Sequence, residues 1–198
     1  YRQTSNGAYK LGTASYNLAI GYNSMGAATV TGTQNSAIGR NSLQALTSGT
    51  YNIAVGDDTL TFNTTGAGNV AVGNAALRAN TTASYATAVG YQAGYNNTTG
   101  VNNTFMGENA GFNNTTGDRS SYYGSLAGQL TTGRANTFIG CDAGHLITTG
   151  VSNTILGRYS GNYGGLDIRT SSNNIVLSDG AGTPKFYVDN SNISYFSG

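Results

Sequence analysis

Asn35-Ser36-Ala37-Ile38-Gly39 returns as Asn52-Ile53-Ala54-Val55-Gly56 and again as Asn69-Val70-Ala71-Val72-Gly73. Traced outward, the block closes on Gly21, Gly39, Gly56, Gly73, Gly90, Gly107, Gly124, Gly140 and Gly157, at steps of 18, 17, 17, 17, 17, 17, 16 and 17 residues. A second marker stands seven residues earlier, at Gly32, Gly49, Gly66, Gly100, Gly117, Gly133 and Gly150, with Ala83 in its place once. Nine copies in constant phase identify a repeat architecture, in which stacked units bury together what one unit cannot bury alone.

The composition fits only such a chain. Among 198 residues there are 30 glycines, one proline and 9% charged residues. A non-repetitive sequence this polar and glycine-rich buries too little apolar surface to offset the entropy of ordering. A period near 17 is short for helical repeats, and helix-forming Leu, Glu and Lys runs are absent. Each block is instead a short β-type segment followed by turn-rich Asn-Thr-Thr-Gly, as at 63–66 and 97–100. The expected fold is all-β, a β-solenoid or β-roll of about nine coils, each of two short strands and two turns. At about 4.8 Å per coil the rod would be about 43 Å long. Residues 14–161 form the rod, 1–13 an N-terminal junction and 162–198 a C-terminal β-hairpin cap or junction.

Side-chain alternation argues for association. The residue before each closing glycine is bulky, from Ile20 and Ile38 to Ile139 and Leu156, and the one before that changes from alanine to Phe105, Tyr122, Phe138 and Ile155. Neighbours on a strand face opposite ways, so both faces are apolar from at least the sixth unit onward. One face lines the coil. The other calls for a partner, which identical rods supply by symmetric association, so an oligomer is expected.

Four residues after the closing glycine, Met25, Leu43, Leu60 and Leu77 give way to Gly94, Gly111, Gly128, Gly144 and Gly161. That switch nearly coincides with the change from alanine to aromatic. Close packing predicts that the two positions share one buried layer. In the fifth unit Ala88 meets Gly94, and Tyr91 or Tyr95 is expected to fill the gap. The opening asparagines Asn17, Asn35, Asn52, Asn69, Asn103, Asn136 and Asn153 suit either an amide ladder between coils or a turn at the strand start.

Runs such as Asn35-Ser36-Ala37-Ile38-Gly39-Arg40-Asn41-Ser42 resemble the head repeats of trimeric autotransporter adhesins, which implies left-handed parallel β-rolls trimerised along their length, either intertwined or packed as a parallel homotrimeric fibre. The longer Asn-Asn-Thr-Thr-Gly-x-x-Asn-Thr-x-x-Gly-x-x-Ala-Gly form, at 96–111 and at 113–128 with Ser120 in the Asn place, resembles repeats of bacteriophage tail fibres and other virion fibres. The resemblance spans roughly residues 14–161, although the 17-residue period exceeds the usual adhesin one. Beyond it, Ile175-Val176-Leu177 and Phe186-Tyr187-Val188 flank Ser178-Asp179-Gly180-Ala181-Gly182, a hairpin pattern similar to segments that end phage-fibre repeats.

Chemistry is sparse. Cys141 and His145 are the one cysteine and one histidine, in slots that accept many residue types elsewhere, so neither a Cys-His nucleophile nor a His-rich metal site is expected. Asp57 and Asp58 are adjacent, whereas glycosidase carboxylates face each other about 5–9.5 Å apart. The Thr-Thr rows at 64–65, 81–82, 98–99, 115–116, 131–132 and 148–149 favour turns over an ice-binding array. Tyr91, Tyr95, Phe112, Tyr159 and Tyr163 are candidate surface aromatics for stacking on sugars. No cofactor, nucleic-acid partner or membrane insertion is expected: the net charge is +1, without a basic cluster or a long apolar run. The opening at Tyr1, with neither Met nor a leader-like segment, leads us to expect a fragment or processed product.

The expected role is non-enzymatic, a virion tail-fibre segment joined to neighbouring segments and spacing or presenting a host-attachment tip. The alternative is an adhesin head at a bacterial surface, binding host glycan, protein or matrix. A glycan-degrading spike and an ice-binding solenoid rank behind both.

Overall fold

A computed structural model describes residues 10–11, 16–27, 29–191 and 194–196. Most of the expected junction at 1–13 lies outside the described residues. The described residues form an all-β solenoid of about nine coils, with no helix among them, and each coil contributes one three-residue strand to a single ladder. These strands are β2 (Leu18–Ile20), β4 (Ser36–Ile38), β5 (Ile53–Val55), β6 (Val70–Val72), β7 (Thr87–Val89), β8 (Thr104–Met106), β9 (Ser121–Tyr123), β10 (Thr137–Ile139) and β11 (Thr154–Leu156). They pair in parallel and in register, as in Ala54 beside Ala71 and Phe105 beside Tyr122.

Among the described residues the expected second strand is found only at the start of the rod, where β1 (Lys10–Leu11) pairs with β3 (Thr29–Val30). Elsewhere that side of the coil is a chain of turns. Residues such as Asp58 and Leu60 alternate into the left-handed region, at φ 54° and 48°. An extended strand cannot carry such residues. Their amides still bond the next coil, as in Leu60 N to Ala76 O at 3.1 Å and Thr64 N to Thr81 O at 2.9 Å. Stacking therefore survives without a second regular sheet.

The closing glycines are required by the strand's exit. At Gly90 φ is +134°, and a Cβ there would sit 2.6 Å from the Gly107 carbonyl oxygen. Only glycine combines that backbone with so close an approach.

The ladder does not end at residue 161. A tenth parallel strand, β14 (Ile175–Ser178), pairs with β11, and Ser178 stands where a closing glycine would be. The step from Gly157 to Ser178 is 21 residues, four more than the 17-residue repeat, and it contains the antiparallel pair β12 (Asn162–Tyr163) and β13 (Leu166–Asp167). β14 then turns into the expected hairpin with β15 (Pro184–Val188), and β16 (Ser194–Phe196) pairs with β15. Antiparallel strands thus cover the ladder's C-terminal edge, which would otherwise offer unpaired backbone groups.

The interior is a set of rows. Ala37, Ala54, Ala71, Ala88, Phe105, Tyr122, Phe138, Ile155 and Val176 form one, all fully buried. The row four residues past the glycine faces it: a Cβ on Gly128 would meet the Tyr122 ring at 2.9 Å, and one on Gly144 the Phe138 ring at 2.5 Å. Volume gained by the aromatics is volume given up by these glycines. The gap beside Ala88 and Gly94 is filled by Phe105 from the next coil and Leu77 from the previous one. It is not filled by Tyr91, which is exposed, or by Tyr95, which stacks outside on Phe112. The interior is a continuous stack, so a neighbouring coil's side chain reaches the space more directly than a turn residue of the same coil.

Asn35, Asn52, Asn69, Asn103, Asn136 and Asn153 are buried and form an amide ladder. Asn52 Oδ1 accepts the Asn69 backbone N–H at 3.0 Å, while Asn52 Nδ2 donates to the Gly66 carbonyl at 2.9 Å. Each amide therefore ties its own coil to the next and satisfies backbone groups that no strand pairs. Asn174 continues the ladder by donating to Asn153. Sequence reading missed that member because the 21-residue step hides its phase. It also missed that the first Asn of each Asn-Thr-Thr-Gly turn (Asn63, Asn80, Asn97 and Asn114) points inward, with Nδ2 bonded to the carbonyl three residues on.

Tyr122 sits between Phe105 and Phe138, with ring centroids 5.6 and 5.0 Å away. Ser120, Thr131 and Asn136 surround its hydroxyl, but none meets it at hydrogen-bonding geometry. Burial pushes the phenol up to about 12. The folded state thus holds this proton more tightly than the unfolded chain does. The associated stability is fully present below pH ~10 and is lost between about 10 and 12, about 2–3 kcal/mol in all. Tyr122→Phe is expected to match or exceed the parent's melting temperature at neutral pH, because it removes an unpaired buried hydroxyl. It should also lose less stability than the parent on titration to pH ~11.5, read by denaturant melts at both pH values. A neutral-pH loss above ~1.5 kcal/mol would show instead that the hydroxyl is bonded.

Candidate functional site

The outward-facing residues of the ladder make the most extended feature on the surface. One row is Ile20, Ile38, Val55, Val72, Val89, Met106, Tyr123, Ile139, Leu156 and Leu177. The second is Leu18, Ser36, Ile53, Val70, Thr87, Thr104, Ser121, Thr137, Thr154 and Ile175. None of the twenty is charged. Seven residues of the first row are exposed, from 37% at Ile38 to 50% at Leu156, while Val55, Val72 and Val89 in its middle are partly buried. Parallel pairing fixes this arrangement, because a one-residue slip would exchange inner and outer rows. Ten rungs at about 4.8 Å make a face about 45 Å long.

The candidate aromatics do not gather on that face. Tyr95 and Phe112 stack on each other at 5.1 Å, on the turn side. Arg78 donates to the Tyr95 hydroxyl at 3.1 Å and lies 4.9 Å over Phe62. Tyr91 and Tyr163 are exposed. Tyr159 is not a surface residue: it is fully buried, and its hydroxyl donates to the Leu166 carbonyl at 2.7 Å. The Tyr159 carbonyl accepts from Gly144 N as that of Ala143 accepts from Gly128 N, so the residue stacks in the buried row of Ala110, Ala127 and Ala143, and the insertion after Gly161 folds over its hydroxyl. Sequence reading passed over Tyr16, Tyr51 and Tyr85, three well-exposed tyrosines, each in the left-handed position just before a ladder Asn or its Ala86 equivalent. Their common phase relative to the ladder was the available signal.

The titratable candidates are not brought together into one site. His145 Nδ1 turns to Asp142 Oδ1 at 3.8 Å, while Cys141 is exposed. Asp57 and Asp58 both reach back to Arg40, at 3.5 and 3.2 Å, so they converge on one guanidinium rather than diverge. Thr64, Thr81, Thr98 and Thr148, each the first Thr of its pair, spend their hydroxyls on the next coil, as in Thr64 Oγ1 to the Thr81 carbonyl at 3.1 Å. In the 16-residue coil Thr131 moves inward to the slot of Asn114 and Thr132 takes over the surface bond. Among the described residues no group of three His, Cys, Asp or Glu side chains is placed to hold a metal. Among the same residues no helix is long and apolar enough to cross a membrane. Comparison with protein-family models, curated proteins and solved structures gives no match.

Proposed function

We propose that the chain is a structural segment of a homotrimeric fibre of the virion tail-fibre kind, a rod that spaces or presents a host-attachment tip. The observation that carries this reading is the uncharged outer face of the ladder, whose first row is apolar through all ten rungs. An exposed apolar surface this long is a liability for a free monomer and a ready interface for copies of itself. Parallel rods around a common axis would set like rungs at the same height, so that Val72 meets Val72 and Tyr123 meets Tyr123. The Asn-Asn-Thr-Thr-Gly form of the later units supports the fibre reading over other repeat proteins.

Mass in solution tests it. Sedimentation equilibrium should give three times the 20.3 kDa chain mass. Val72→Arg combined with Val89→Arg is expected to leave single chains with an unchanged β spectrum, because the buried Ala71 and Ala88 rows are untouched. A wild-type chain that stays single at about 100 μM, far above the Kd of a stable assembly, would end the proposal.

The Asn-x-Ala-Ile-Gly blocks of the early coils favour a second reading, the head of a bacterial surface adhesin. The gene separates the two: a C-terminal membrane β-barrel following this segment supports the adhesin, and a virion-attachment domain supports the fibre.

A further inference from the structure

Along most of the rod, the flank after each closing glycine is a plain turn resting on the next turn. At the ninth coil two departures from the repeat converge there. The chain leaves the coil at Gly161 to form the β12–β13 pair, which carries Tyr163. The 179–183 turn returns with Gly182 close above Arg158, where a Cβ would meet the Arg158 carbonyl at 3.1 Å. Between them is a hollow of about 460 Å³ lined by Asp142, His145, Arg158, Ser160 and Tyr163, among others. Its volume falls in the about 300–1,000 Å³ range of small-molecule sites.

The polar groups in it are pre-set. Arg158 Nε donates to one oxygen of Asp142, Oδ2, at 3.0 Å, and Nη2 pairs with the same oxygen at 3.0 Å. The other oxygen, Oδ1, faces His145 Nδ1 across 3.8 Å, beyond hydrogen-bonding distance. A hydroxyl placed there can donate to the carboxylate and engage the imidazole at once. Asp142 already neutralises Arg158, so the hollow holds little net attraction for a simple anion. Tyr163 is 52% exposed and presents an aromatic face beside these groups. Aligned donors and acceptors next to a half-exposed ring match a molecule with hydroxyls on its edge and C–H bonds on its face.

The geometry points to a saccharide site: this hollow takes one pyranose unit, with a vicinal diol on Asp142 and Arg158 and a ring face on Tyr163. The site lies on the flank that follows the closing glycine, away from the outward rows of the ladder, and it stands whether or not the rod trimerises.

Saturation-transfer NMR on the full chain tests it, with methyl glycosides of hexoses, 6-deoxyhexoses, N-acetylhexosamines and hexuronic acids, and inorganic phosphate as the anion control. At least one neutral glycoside should receive saturation. Asp142→Asn and Tyr163→Ala should each weaken its binding about tenfold or more. Both variants should melt with the parent: Asn tolerates the left-handed backbone of residue 142, at φ 57°, and exposed ion pairs contribute at most about 1 kcal/mol. Silence from every glycoside overturns the site, as does binding limited to hexuronates and phosphate or binding indifferent to Tyr163→Ala. The Val72→Arg/Val89→Arg chain should bind the same glycoside equally well, so failure of the assembly reading and failure of this site give different results.

Discussion

Gly90→Ala is expected to cut the rod in two energetically. The closing glycine there has φ +134°, and an alanine Cβ would stand 2.6 Å from the Gly107 oxygen and 2.7 Å from its carbonyl carbon. Those are backbone atoms of the next coil, so no side chain can swing aside. The residue must leave this region of φ/ψ, at about 1–3 kcal/mol, and the coils must part, at a similar further cost. The amide of Gly90 bonds the Val72 carbonyl at 2.9 Å, so the shift reaches the preceding coil too. Repeat proteins are coupled mainly through nearest-neighbour interfaces. A loss of about 3–5 kcal/mol at one interface should therefore split a single urea transition into two, with new protease sensitivity confined to residues near 90. Gly180→Ala is the control, since a Cβ there meets nothing within 4 Å. If Gly90→Ala melts as one transition within about 1 kcal/mol of the parent, the closing glycines are not what sets the coil's exit.

Why so much of this was legible in the sequence, and where reading stopped, follows from what a period records. Constant phase fixes which residues stack, so the inner row from Ala37 to Ile155 and its exchange with Leu77, Gly94 and Gly111 could be read as one buried layer. Phase says nothing about the path between rungs. The left-handed residues at Asp58 and Leu60 replace an expected second strand with turns, and no propensity marks a leucine as left-handed. Irregular steps conceal what regular ones reveal: Asn174 belongs to the ladder and Ser178 to the glycine row, but a four-residue insertion breaks the count. The same insertion folds over the hydroxyl of Tyr159, a surface candidate that stacks as core, and builds the hollow beside Arg158. Charge placement was invisible for a related reason. Asp57 and Asp58 look like a divergent pair until the 17-residue stack brings Arg40 beside both.

The exchange between Phe105 and the glycines predicts a rescue. Phe105→Ala empties a fully buried ring position that also stacks on Tyr122 at 5.6 Å, and should cost about 3–5 kcal/mol. Gly111→Leu alone should be comparably damaging, because its Cβ would lie 3.1 Å from Phe105 Cγ and closer still to the ring edge. The backbone is not the main obstacle. Leu43, Leu60 and Leu77 occupy the equivalent slot at φ 50°, 48° and 50°, close to the 62° of Gly111, and pack there fully buried against alanines. Combining the two changes recreates the alanine–leucine layer of the early coils inside a late coil. The double variant is therefore expected to be more stable than either single one, with a coupling of about 1–3 kcal/mol in denaturant melts. Recovery should remain incomplete, since Phe105 also fills the space over Gly94 in the preceding coil, and one leucine reaches only one side. Additive losses would mean that the two rows do not compete for the same volume. The change from leucine to glycine along the chain would then need a different cause, such as relief of left-handed strain at the substituted leucine, worth about 1–3 kcal/mol at each position.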